Sequence, residues 1–153
     1  MTLAESVMTV IQSYPASTTE VLSRTPGTND YIDPTRDLDL IRAEGRLAEL
    51  AKLQPGWLDG AGSPIDWSVF QEAQRTILWL IANGANGPRI YPTETGGIRV
   101  EWTAGTTDTS VAFEPNELIF AQSVDLKSGN FEEGYFSPYP AIELNNFVLS
   151  HLR

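Results

Sequence analysis

The chain reads as an α+β domain: an antiparallel meander of four to five strands with helices packed on one face, in the order ααββββ(β)α. Three observations predict it. Two segments with helical apolar spacing come first. Short alternating segments separated by Gly, Pro and Asn turns then run from about residue 85 to 137. A last segment returns to helical spacing. Helices grouped apart from strands indicate an antiparallel sheet covered on one side.

The elements follow in order. Leu3, Val7, Val10 and Ile11 recur at helical spacing, with Thr2 and Glu5 as a capping box. Residues 13–35 are rich in Ser, Thr, Pro and Gly and carry no periodicity. Residues 1–35 are therefore expected to be an N-terminal arm or linker, one that would also serve a homodimer, and 36–153 the single folded domain. The first domain helix is expected over 36–53, where Leu40, Ala43, Leu47 and Leu50 share a face, and Pro55-Gly56 stops it. Arg36, Asp39, Arg42, Glu49 and Lys52 fall on its other sides. Residues 54–65 hold three glycines and two prolines and form a loop, for which Trp57 is the natural anchor. Asp66 caps a second helix over 67–82, lined by Phe70, Ala73, Ile77, Leu80 and Ile81 and closed by Asn83-Gly84. The apolar Trp67, Leu78 and Trp79 predict burial on more than one side.

The strands are expected at 89–93, 98–103, 109–114, 118–124 and 131–136. Gly96-Gly97 turns the chain between the first two. Ile98, Val100 and Trp102 alternate with Arg99, Glu101 and Thr103, so one set faces the core and the other an open face. Leu118, Phe120, Gln122 and Val124 share one face of the fourth strand, and Ile119 and Ala121 the other. Ser137-Pro138 predicts the start of a last helix over 138–151, with Leu144, Phe147, Val148 and His151 on one face and Ile142, Leu149 and Leu152 beside it.

Composition excludes several functions. The 153 residues include no cysteine, which removes disulfides, thiol nucleophiles and thiolate metal sites. His151 is the only histidine, so neither a catalytic triad nor a two-histidine metal site forms within one chain. Its place near the end of the last helix suits a C-terminal partner for the helix dipole. No phosphate loop or dinucleotide fingerprint occurs. No cofactor is expected. No secretory leader is evident at the N-terminus, and the longest apolar run, 77–82, is far too short to span a bilayer. A cytoplasmic protein is expected. The net charge is −10, with nine acids and three bases in residues 94–153. This sign disfavours direct nucleic-acid and anionic-membrane binding and suits a basic protein partner. Glu132-Glu133, with Asp125 nearby, would begin an acidic strip that, together with Glu114 and Glu117, imitates spaced phosphates; a solvated surface is the plainer reading.

Six residues stand out for binding a ligand or partner: Trp57 and Asp59 in the loop, and Tyr91, Thr93, Arg99 and Glu101 in the hairpin. Asp59 also suits a purely structural role in its turn. A paired-carboxylate hydrolase would need a second acid across a cleft from Glu101. Glu94, Asp108 and Glu114 are within reach in sequence, and nothing in the spacing selects one.

Gly56-Trp57-Leu58-Asp59-Gly60-Ala61-Gly62-Ser63-Pro64 and Tyr91-Pro92-Thr93-Glu94-Thr95-Gly96-Gly97-Ile98-Arg99-Val100-Glu101-Trp102 together resemble an uncharacterised family of small bacterial proteins. That family pairs a GWLDGxGxxP loop with a YPTxxGGxxxEW hairpin. The resemblance covers roughly residues 40–150 and implies a shared domain without implying an activity. Ala61 departs from it, since that position is often acidic in the family. The expectation is a non-enzymatic interaction module of bacterial or phage origin, regulatory or part of a defence or counter-defence pair. The alternative is a small-ligand-binding domain or weak hydrolase. That reading needs the Trp57–Asp59 loop to meet the hairpin around one cavity.

Overall fold

In a computed structural model, residues 33–153 are described, and they form three helices and a five-stranded antiparallel sheet. The predicted helix at 3–12 and most of the linker lie outside the described residues. The helices are α1 (Pro34–Leu50), α2 (Trp67–Ala82) and α3 (Ile142–His151). The strands are β1 (Arg89–Pro92), β2 (Ile98–Ala104), β3 (Thr107–Phe113), β4 (Ile119–Asp125) and β5 (Phe131–Phe136). They pair in chain order, β1-β2-β3-β4-β5, so each connection is a hairpin. No described helix is long and apolar enough to cross a membrane.

α1 begins earlier than its apolar spacing suggests. The Asp33 carboxylate accepts from the Thr35 amide at 3.0 Å, and Pro34 takes the first helical position. Both belong to the domain rather than to a linker. Pro at that position loses no hydrogen bond, because the first amides of a helix lack intrahelical acceptors. α2 spans the predicted residues. Asp66 accepts from the Ser68 and Val69 amides at 3.0 and 3.2 Å, and Gly84 follows its end in the left-handed region.

α3 starts four residues later than Ser137-Pro138 suggests. A residue preceding proline is pushed out of the helical region, and Tyr139-Pro140 imposes that constraint one turn on. Ser137 hydrogen-bonds to Tyr139 instead of capping a helix.

One sheet face makes the core with the helices. Ile90, Ile98, Val100, Trp102, Val111, Phe113, Ile119 and Ala121 are buried there against Leu47, Leu50, Ala73, Ile77, Leu80, Leu144 and Val148. The Trp102 indole N–H donates to the Ala85 carbonyl at 3.2 Å, tying β2 to the turn after α2. Two hydroxyls of the sheet enter this core, Thr109 and Ser123, and they satisfy each other at 3.0 Å. Burial of α2 on several sides is only partly realised. Trp67 remains 66 % exposed, stacked on Phe70, and Trp79 is also exposed. Ile142 is exposed rather than packed beside the last helix's core face.

Candidate functional site

Among the described residues, nothing packs on the second face of the sheet. Strand register puts its side chains in rows. Tyr91, Arg99, Ala112, Phe120 and Tyr135 line up across all five strands. Arg89, Glu101, Ser110, Gln122 and Glu133 form the next row. Thr103, Asp108, Val124 and Phe131 form the third. In β4 it is Ile119, Ala121 and Ser123 that face the core, so Phe120 and Val124 fall on the open side. Apart from Tyr91 on β1, the aromatic side chains gather at the β4–β5 end. Phe120 and Tyr135 lie 5.1 Å apart, Tyr135 is 69 % exposed and Phe131 53 %.

The β1–β2 half of the face is charged. Glu101 pairs with Arg99 at 2.9 Å and with Arg89 at 3.8 Å. Arg89 also donates to the Thr103 hydroxyl at 3.0 Å, and Thr103 donates to Asp108 at 2.7 Å. The network borders a depression of about 190 Å³ that is also lined by Ser110, Gln122 and Val124. Exposed ion pairs each contribute about 0–1 kcal/mol. The network therefore adds little stability; it sets two guanidinium groups and a carboxylate side by side on the surface. Tyr91 and Arg99 are direct cross-strand neighbours, as are Arg89 and Glu101.

The loop of residues 54–65 contains a miniature hairpin. Leu58 and Ala61 exchange both backbone hydrogen bonds at 2.8 Å, around Asp59 and Gly60 at φ 48° and 92°. Positive φ at both central residues is the type I′ turn that Asp-Gly favours. Asp59 shapes the turn by this conformation; among the described residues its carboxylate has no hydrogen-bond partner. Trp57 anchors the loop to itself. Its indole N–H donates to the Ser63 carbonyl at 2.9 Å and its ring covers Gly62, where a Cβ would lie 2.7 Å from the ring nitrogen.

The loop and the hairpin do meet. The Ser63 amide donates to the Glu94 carbonyl and the Asp66 amide to the Gly96 carbonyl, both at 2.9 Å. The contact is at the tip of the hairpin. Thr93 is there, accepting from the Gly97 amide at 2.9 Å, while Thr95 donates to Glu114. Tyr91, Arg99 and Glu101 sit further along the strands. The six predicted residues thus fall into two groups: Tyr91, Arg99 and Glu101 on the open face, and Trp57, Asp59 and Thr93 around the loop-to-turn junction. Among the described residues, neither Trp57 nor Asp59 lines any of the five main depressions.

Several contributors were not singled out from sequence. Phe120, Phe131 and Tyr135 join the open face because the register sets them in line with the β2 residues already assigned there. Asp39 is 8 % exposed and accepts from the Gly87 amide at 2.7 Å, linking α1 to the segment before β1. Its helical spacing put it on the polar side. Glu132 and Glu133 do not form a strip, since adjacent strand residues point to opposite faces. Glu132 meets His151 Nε2 at 3.0 Å on the helix side, and His151 Nδ1 lies 2.7 Å from the Phe147 carbonyl. Nε2 thus joins α3 to β5, while Nδ1 bonds within α3. Two carboxyls are held below the usual aspartate range. Asp66 is lowered by the Ser68 hydroxyl and the Val69 and Ser68 amides. Asp125 is lowered by the Lys127 and Ser128 amides and the Thr106 hydroxyl. Both serve caps and turns. The chain matches no family model, no curated protein and no solved structure among those compared.

Proposed function

We propose that the protein is a non-enzymatic protein-interaction module that binds a protein partner through its open sheet face. One observation carries this reading: a sheet face left bare by the described helices presents Phe131, Tyr135 and Tyr91 as exposed aromatic side chains. Exposed aromatic side chains beside polar groups are characteristic of recognition surfaces, where tyrosine and arginine supply much of the binding energy. Arg89, Arg99 and Glu101 provide the polar part. A basic partner suits the net charge of −10. Bacterial or phage origin, and a regulatory or counter-defence role, belong to this proposal through the resemblance of the two motifs. The loop motif then has a mainly structural part, fastening residues 63–66 to the hairpin tip.

Affinity capture with the wild-type chain and with a Phe131→Ser/Tyr135→Ser double variant tests the reading. The two side chains are exposed, so the variant keeps its circular dichroism spectrum and cooperative melting. It is expected to lose the specific partner that the wild type retains. Equal retention by a folded variant counts against the open face.

A further inference from the structure

The two edges of the sheet are built differently. Alternation along an antiparallel pair sends every second residue's N–H and C=O away from its neighbour. In β1 the Thr93–Gly97 bond sets the phase, so Ile90 and Pro92 present their backbone outward. That edge is blunted. Pro92 has no N–H to offer, and Arg46 Nε donates to the Ile90 carbonyl at 3.0 Å from α1.

In β5 the Asp125–Asn130 bond of 2.8 Å sets the phase, so Phe131, Glu133 and Tyr135 present their backbone groups outward. Among the described residues these groups meet no partner. β5 contains no Pro, and its two charges are both acidic: Glu132, turned to His151 on the helix side, and Glu133 on the open face. The same three residues point their side chains onto the open face, where Phe131 and Tyr135 flank Glu133.

We propose that β5 is a docking edge that takes one extended segment of a partner protein as a sixth strand, with a Lys or Arg opposite Glu133 and apolar residues on either side. This rests on the interaction-module reading and names how its partner is held. Charge selects the occupant. Two copies of this chain pairing β5 to β5 about a two-fold axis, with the outward residues in register, set Glu133 against Glu133, and like charges directly opposite are repulsive. A basic strand removes that repulsion, and main-chain hydrogen bonds to Phe131, Glu133 and Tyr135 supply the rest.

The test uses the full chain and an end-capped probe peptide, Thr-Val-Thr-Lys-Thr-Val-Thr, followed by amide chemical shifts. Two control peptides carry Glu in place of Lys, or N-methyl groups on both Val and the Lys. The largest shifts are expected at the amides of Phe131, Glu133 and Tyr135. The Glu peptide is expected to bind about fivefold more weakly, as a cross-strand charge pair implies. The N-methylated peptide is expected not to bind. Glu133→Lys, an exposed substitution, reverses the preference between the Lys and Glu peptides. Shifts centred elsewhere, equal binding of the N-methylated peptide, or no binding with about 1 mM Lys peptide overturn the inference. If the peptide fails while the Phe131→Ser/Tyr135→Ser variant still loses its captured partner, edge docking falls and the open-face reading stands. If the peptide binds at β5 and that variant keeps its partner, the edge is supported and the open-face reading fails.

Discussion

Gly96 and Gly97 are adjacent and have different physical jobs. Gly96 adopts φ 84° as the last residue of a three-residue loop, after a turn closed by its own amide bonding to the Thr93 carbonyl. Gly97 has an ordinary φ, but a Cβ there would strike the Phe113 carbonyl and the Glu114 carboxylate. A turn signal in the sequence identifies the pair without separating the two roles. Gly97→Ala is expected to lower stability by about 1–3 kcal/mol through this overlap. Gly45, in α1, has open space around its Cβ position. Gly45→Ala is expected to raise stability by about 0.5–1 kcal/mol, because alanine loses less backbone freedom in a helix. Urea denaturation of the two variants gives shifts of opposite sign on this account. Asp39 shows the limit of helical spacing as a guide. A carboxylate on the polar side is expected in water, and only the position of Gly87, 48 residues away in sequence, makes it a buried acceptor.

Among the elements, α2 was readable to its ends because its stop signals are local: Asp66 before it and Asn83-Gly84 after it. α1 and α3 were misplaced where two signals competed. Asp33-Pro34, read as part of the linker, caps α1, and the start suggested at Ser137-Pro138 moves past Pro140 to Ile142. The open face was readable in β2 from strict alternation. In β4 it was not assigned, because Phe120 and Ile119 are both apolar and only pairing with β3 decides between them. The cap of α2 also predicts a pH effect. The Asp66 carboxyl is held below its ordinary value in the folded state by the Ser68 hydroxyl and the Val69 and Ser68 amides. Its contribution is therefore fully present above the unfolded-state value of about 4 and is lost as pH falls below it. Asp66→Ala should cost about 1 kcal/mol at neutral pH. Asp66→Asn should keep most of the cap at neutral pH and lose less stability than the wild type between about pH 5 and pH 3. Melting temperatures across that range check both.

At the scale of the whole molecule, layering of the described residues concentrates the core on one sheet face and leaves the other with charged residues on β1–β2 and, apart from Tyr91, aromatic residues on β4–β5. That the described helices would leave one face uncovered followed from alternation, and its composition from register, which no local pattern supplies. The Gly56–Pro64 loop and the Tyr91–Trp102 hairpin meet through backbone hydrogen bonds at the hairpin tip. The residues singled out within them therefore divide between fastening and surface. The absence of cysteine allows a direct test of where a partner sits. A single cysteine carrying a photo-activated cross-linker is placed at Gln122, in the middle row of the open face, or at Gln71, on the exposed side of α2. With the captured partner bound, cross-linking from position 122 and none from position 71 is the predicted result. Cross-linking from 71 with none from 122 would contradict the open sheet face as the binding surface.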